Sequence, residues 1–379
     1  MKIFSIFILL LTLNAINSVS VLKDVGRSAV SVTKGVISKI PEVIPAPQDI
    51  FQAGKNLIAG YPFEMAFNII NTFCSVALSK KEITPRVAPN IANMSFVLKT
   101  NTMNISVPLN RPDRLWSSKE FNRNLPLVMM ITGWTTNFND TENGALDAIY
   151  AAYKCRGNVN FVTVDTAAYV DTLYTWSAFN TEEIGKLIGI SLEHLIRNYP
   201  ISRIHLIGHS LGAHIVGSAG RYLFYSTGKL LPRITGLDPA NPCFNQGEDL
   251  TGLARGDADF VDVIHTNSGA LGKRDPIGDV DFFPNGVNPL PPGCLSISCA
   301  HQRAPELYAE SVYPGQEYNF PSVKCGSLAA LNGKYCPGKE YPMGYAVPLN
   351  IKGNFFLKTN SESPYGLNAT KNIRPNCRI

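Results

Sequence analysis

Beyond its first 20 residues the chain has no apolar run approaching the roughly 18 residues that a membrane-spanning helix requires. A transmembrane anchor in that region is thereby excluded. Charge of one sign is also scarce: 34 Lys and Arg stand against 29 Asp and Glu, a formal net charge of +5. Such a balance gives no electrostatic basis for binding nucleic acid. Internal repeats and low-complexity tracts are missing, which excludes a solenoid or a repeat array. The eight cysteines lack zinc spacing, because Cys294 and Cys299 have no second Cys or His pair to complete a site.

What is present begins with a leader. Lys2 precedes the apolar run 3–13, and small or polar residues follow over 14–20. This is the pattern of a secretory signal peptide with cleavage near residues 18–20. Secretion makes disulfides the expected use of the cysteines. Asn93, Asn104, Asn139 and Asn368 each open an Asn-x-Ser/Thr sequon, the acceptor pattern for surface glycosylation. Residues 21–85 read as an N-terminal extension in which Phe63, Ala66, Phe67, Ile70 and Phe73 make a helical apolar stripe behind Pro62. The remaining span, 86–379, reads as one large domain.

Within that domain apolar strands alternate with amphipathic helices. Strand composition is seen over 95–100, 105–109, 127–131, 159–164, 233–238 and 260–266. Ile184, Leu187, Ile188, Leu192, Leu195 and Ile196 make the buried face of one helix, with Asn180 and Glu183 as its expected capping pair. The alternation predicts an α/β fold with a mostly parallel, doubly wound sheet and helices on both faces. Ligands in such a fold bind at the carboxyl ends of the strands.

One stretch carries chemistry. Gly208-His209-Ser210-Leu211-Gly212 follows the apolar strand residues Ile204, Leu206 and Ile207 and precedes Ile215, Val216 and Ala219 at helical spacing. Two glycines let strand and helix approach closely enough to force Ser210 into a strained bend with its hydroxyl exposed. The main-chain N–H of Leu211, at the helix start, faces the place where an oxyanion would form. A second donor is expected from an early strand-to-helix loop, and Thr132-Gly133-Trp134-Thr135 is the best-placed candidate. A nucleophilic serine also requires a base oriented by a carboxylate. Asp238, at a strand end before Pro239, fits the acid. For the base, spacing leaves both His265, at the end of a hydrophobic strand, and His301, in a polar loop, where it could swing over the elbow. His194, His205, His209 and His214 precede Asp238, against the chain order expected of this fold.

In the blocks Gly-His-Ser-Leu-Gly-Ala-His, Gly-Leu-Asp-Pro-Ala-Asn-Pro-Cys-Phe, Phe-Val-Asp-Val-Ile-His-Thr, Asp-Phe-Phe-Pro-Asn-Gly and Cys-Ala-His-Gln-Arg, the chain resembles the animal pancreatic lipase family, especially its insect members. The resemblance implies an α/β-hydrolase fold with Ser210 as nucleophile, Asp238 as orienting acid and His301 as base. It implies Trp134 and Leu211 as the oxyanion-hole amides, each such donor being worth about 3 kcal/mol in the transition state. It also implies Cys294–Cys299 and Cys325–Cys336 as disulfides, with Cys74–Cys155 as a third; Cys243 and Cys377 are left unassigned. No cofactor is called for. At the family's structural calcium site, Asp249 and Asp257 match two carboxylates, but Gly252 and Ala254 leave too few anionic ligands for firm binding.

Departures from the family pattern bear on substrate. Cys294 and Cys299 enclose only residues 295–298, where the lipases of the family carry a much longer lid, and the segment from His265 to Asp281 is also shortened. The chain ends soon after the hydrolase core, so colipase is not an expected partner. By this resemblance the chain is a secreted, extracellular serine ester hydrolase acting on lipid at a membrane or emulsion surface, with sn-1 acyl hydrolysis of phospholipid or galactolipid favoured over neutral triacylglycerol. The rival from another class is a noncatalytic, yolk-like lipid carrier, since relatives of the family have lost the triad.

Overall fold

The chain divides into two units, Met1–Ile50 and Phe51–Ile379. In this computed structural model the described residues are 94–133, 144–165, 178, 180–244, 250–333, 336–369 and 377, all within the second unit. The leader, the extension with its helical stripe, Cys74, Asn93, Trp134, Asn139 and Asp249 lie outside the described residues.

The strands are β1 (Ser95–Lys99), β2 (Asn104–Pro108), β3 (Leu127–Ile131), β4 (Asn160–Asp165), β5 (Ile204–His209), β6 (Arg233–Leu237), β7 (Val261–Ile264), β8 (Val280–Pro284), β9 (Pro321–Cys325), β10 (Glu340–Pro342) and β11 (Gly353–Leu357). They form one sheet in the order β10-β9-β11-β8-β7-β6-β5-β3-β4-β1-β2. From β11 across to β4 every neighbour is parallel, whereas β1–β2, β9 and β10 pair antiparallel at the two edges. The composition explains the division. Strand β3 is the uninterrupted apolar run Leu127, Val128, Met129, Met130 and Ile131, buried at every position as a parallel strand covered on both faces must be. Edge strand β2 is mostly exposed and buries only Val107.

Helices α1 (Pro112–Trp116), α3 (Thr181–Leu195) and α4 (Leu211–Thr227) cover one face, where Leu115, Ile184, Ile188, Leu192, Val216, Ala219 and Leu223 pack on alternate residues of the central strands. Helices α2 (Gly144–Arg156) and α5 (Ile297–Val312) cover the other face with Leu146, Ile149, Tyr153, Ala304, Leu307 and Tyr308. There the two tyrosine hydroxyls bond each other at 2.9 Å, so neither is left unpaired in the core. A short α6 (Leu328–Gly333) packs Leu331 beside Phe283 and Phe356 near the β9 edge.

Three expectations change. The Asn180–Glu183 capping pair does not form: the Asn180 side chain makes no cap bond, and the turn is closed by Thr181 Oγ1 donating to the Ala178 carbonyl at 2.8 Å. His301 is not in a loop; it lies in the first turns of α5, whose Ser296 side chain accepts from Cys299 N–H. The expected Cys74–Cys155 bond is replaced, because Cys155 at the end of α2 is bonded to Cys377, 222 positions away. The C-terminal segment returns to that helix, a closure that no spacing near Cys155 signals. Cys294–Cys299 and Cys325–Cys336 are bonded, Cys243 also belongs to a disulfide, and no described cysteine is free.

Candidate active site

Parallel register assembles the site. His209 pairs with Leu237, and Leu237 with Ile264, so Ser210, Asp238 and His265 leave three adjacent strands at the same level. On the other side, Ile131 pairs with Gly208, which brings the segment after β3 alongside the turn after β5.

Ser210 has φ 58° and ψ −127°, a conformation that costs a non-glycine residue energy and persists only where its surroundings hold it. The surroundings do so from every side. Its N–H donates to Leu237 O at 3.1 Å, and its carbonyl accepts from Ala213 and Ala240 N–H. A Cβ on Gly208 would stand 2.3 Å from Gly212 O, and one on Gly212 would stand 2.2 Å from Ile131 O. The close approach anticipated from the two glycines is therefore present, and any larger residue at either position would open the turn. Ser210 as a residue is only 6 % exposed. Gly133 lies against it, its α-carbon so close that a methyl there would stand 2.8 Å from Ser210 Oγ and 2.9 Å from Leu211 N. The segment after β3 thus lies against both the hydroxyl and the first amide of α4.

Asp238 follows β6 with φ 43°, and its side chain is wholly buried. Its Oδ1 accepts from Thr266 N–H at 2.8 Å and Asn267 N–H at 2.9 Å, while Oδ2 accepts from His301 Nδ1 at 2.6 Å. With three donors on it, the carboxylate is the acceptor in the His301 bond, so the proton sits on Nδ1 and Nε2 carries the lone pair. Among the described residues neither Ser210 Oγ nor His301 Nε2 has a hydrogen-bond partner. Both atoms are free to receive a substrate, and such contacts commonly tighten only when one binds.

His265, the other histidine left open by spacing, is paired elsewhere. Its Nε2 meets Asp281 Oδ1 at 2.9 Å, its Nδ1 donates to Lys273 O at 2.8 Å, and its ring stacks on Phe283 at 4.5 Å. With both nitrogens engaged it has none to offer a hydroxyl. His209 packs its ring 4.6 Å from that of His301 and bonds the His301 carbonyl through Nε2 at 3.1 Å. Burial, reinforced by the neighbouring His301, holds His209 well below the ordinary histidine range, so it remains a neutral donor. His214 donates through Nε2 to Ala240 O at 2.7 Å, accepts from Leu253 N–H through Nδ1 at 2.9 Å and stacks on Phe244; burial pushes it down to about 3.

Sequence reasoning picked out Ser210, Asp238 and Leu211 from the residues themselves and His301 through the family resemblance. It missed the Thr266 and Asn267 amides on Asp238 and the role of Gly133 as a wall. Main-chain donors carry no side-chain signature, so nothing in the residue types could have identified the first two. Asp257, one of the two calcium-position carboxylates, is taken by Arg221 Nη1 at 2.8 Å, which also donates to Gly252 O at 2.9 Å. Among the described residues no group of three or more His, Cys, Asp or Glu is placed to hold a metal ion. Two sequons are described, Asn104 and Asn368, and both are exposed.

A central parallel sheet, helices on both faces, a strained serine between strand and helix, and an Asp at the carboxyl end of the next strand bonded to a His carried on a helix define an α/β-hydrolase. The chain belongs to the Lipase family, whose model matches residues 71–365. Vitellogenin-3 of Drosophila melanogaster is 28 % identical over 385 residues, covering 91 % of each chain. Vitellogenin-1 of Ceratitis capitata is 38 % identical and covers 55 % of this chain and 48 % of its own. Human lipoprotein lipase is 31 % identical and covers 65 % of this chain and 57 % of its own. The chain thus spans nearly all of the first relative and about half the length of the other two.

Proposed function

We propose that this protein is a secreted serine ester hydrolase of glycerolipids, with Ser210 as nucleophile, His301 as general base and Asp238 as the acid that orients it. Ser210 Oγ bonds to the acyl carbonyl carbon while His301 Nε2 takes its proton. The resulting oxyanion accepts from the main-chain N–H groups of Leu211 and Trp134. As the tetrahedral intermediate collapses, the ester C–O bond breaks and His301 returns the proton to the departing alcohol. Water then repeats the sequence, cleaving the acyl-enzyme to a fatty acid and free Ser210. The observation that carries this reading is the 2.6 Å bond between His301 Nδ1 and the buried, fully satisfied Asp238 carboxylate beside the strained serine.

For substrate, the reading is a lipid presented at a surface, with first-position acyl hydrolysis of phospholipid or galactolipid ahead of triacylglycerol. The support is the minimal loop closed by Cys294–Cys299, which bears Leu295 at 98 % exposure two residues before the start of α5. Such a loop leaves room for a polar headgroup, while its leucine suits an apolar surface. Release of the first-position chain from phosphatidylcholine, measured against release from a triacylglycerol emulsion, separates the two substrates. Ser210→Ala should abolish either activity, a loss of about 10⁶-fold in kcat, with unfolding unchanged. Equal hydrolysis by the variant would refute the assigned nucleophile.

One observation favours a second reading, a noncatalytic lipid-carrying role: the relative aligned over 91 % of both chains is a vitellogenin. A purified protein that binds lipid yet turns over no ester in either assay would establish it.

A further inference from the structure

Asp238 is enclosed by more than its hydrogen bonds. The segment 267–273 folds back on itself, with Gly269 N–H donating to Gly272 O at 2.9 Å, Leu271 N–H to Asn267 Oδ1 at 2.8 Å and Ala270 N–H to Asn267 O at 3.1 Å. This small coil is tied to the segment after β6, where Lys273 N–H donates to Pro239 O at 2.8 Å and Asn241 N–H to Leu271 O at 2.7 Å. It is tied also to the next loop, through Asn267 Nδ2 to Pro289 O and Ser268 N–H to Asn288 O. The consequence is a backbone pressed onto the carboxylate. A methyl group on Gly272 would stand 2.3 Å from Asp238 Oδ1 and 2.4 Å from both Cγ and Oδ2.

Nothing at Gly272 demands glycine for its own backbone angles; the missing side chain is required only by the space that Asp238 occupies. His265 closes the arrangement. Its backbone precedes the Thr266 amide on Oδ1, and its ring holds Lys273 O at the far end of the coil while Asp281 holds the ring.

We infer that Gly272 is a positioning residue: the 267–273 coil, stapled at both ends by His265, is a lock that fixes the Asp238 carboxylate against His301. The inference rests on the catalytic reading of Ser210, Asp238 and His301, and its test separates the two. Gly272→Ala leaves every hydrogen-bonding side chain in place but forces either the carboxylate or the coil to move. A shift of about 1 Å in such a pair is enough to lower turnover about a hundredfold.

The experiment compares wild type, Gly272→Ala and Asn267→Ala by ester hydrolysis, by thermal unfolding and by proton NMR of the strongly deshielded Nδ1 proton of His301. Gly272→Ala is expected to lower kcat about a hundredfold with KM within about twofold, and to shift or broaden that proton. Asn267→Ala, which removes the Leu271 and Pro289 bonds without adding an atom near Asp238, is expected to change both readouts in the same direction but less. If Gly272→Ala does not fold, Asn267→Ala decides alone. A folded variant with kcat and the Nδ1 proton unchanged overturns the lock. If wild type hydrolyses no ester, the catalytic reading fails, while the proton signal and its response to Gly272→Ala still judge the lock.

Discussion

Two buried Asp–His pairs stand at the same end of the sheet, and they differ in what the second imidazole nitrogen meets. In Asp238–His301, Nδ1 is bonded and Nε2 has no partner among the described residues. In Asp281–His265, both nitrogens are engaged and the ring is wholly buried. Identical side chains therefore leave one imidazole with an open nitrogen and hold the other at both nitrogens. The difference lies not in the pair but in its neighbours: a strained serine beside one, and the Lys273 carbonyl and the Phe283 ring beside the other.

That contrast can be broken most sharply by removing each carboxylate's charge. Asp238→Asn should lower kcat by about 10⁴-fold, because the amide favours the wrong imidazole tautomer, with little change in the thermal midpoint. Should activity survive at more than a tenth of wild type, Asp238–His301 would be no more catalytic than its counterpart. Asp281→Asn should act on folding, costing about 3–5 kcal/mol by leaving one side of a buried pair uncompensated. Denaturant unfolding checks this, and a variant as stable as wild type would remove the staple from the comparison.

Acid titration sharpens the contrast by a smaller effect, through histidines outside both pairs. His205, His209 and His214 are held below the ordinary histidine value by burial, His214 at about 3. A folded value lower than the unfolded one means that their contribution to stability is complete above about pH 6.5 and is lost as pH falls through and below it. Asp257 works in the opposite direction: burial raises it to about 6 despite Arg221, so it favours the folded state at lower pH. Glu310, also raised by burial, sides with Asp257, and three histidines against these two carboxylates predict a thermal midpoint that declines below about pH 6.5. A midpoint flat from pH 7 to 4.5 would contradict that balance.

The serine turn, the parallel strands and the Asp at the end of β6 were legible because each is a local pattern. Apolar runs, glycine spacing and the strand-to-helix switch act over a few residues. The small Cys294–Cys299 loop is equally local, and the family resemblance implied its bond. By contrast, strands β8 to β11 were not read: β11 reaches β8 only by returning from the end of the chain, and Gly353, Asn354 and Phe355 carry no mark of that partner.

What the amino-acid order determined by itself was the strained elbow, the alternation that makes the sheet and the candidate groups for chemistry. Only the tertiary structure decided which histidine meets Asp238, that His301 is carried on a helix rather than a loop, that Cys155 bonds Cys377 and that Gly133 packs against Ser210. The physical reason is range. Backbone sterics and hydrophobic periodicity act between neighbours in sequence, whereas the state of an imidazole, a cystine or a buried hydroxyl is set by groups that packing alone brings near.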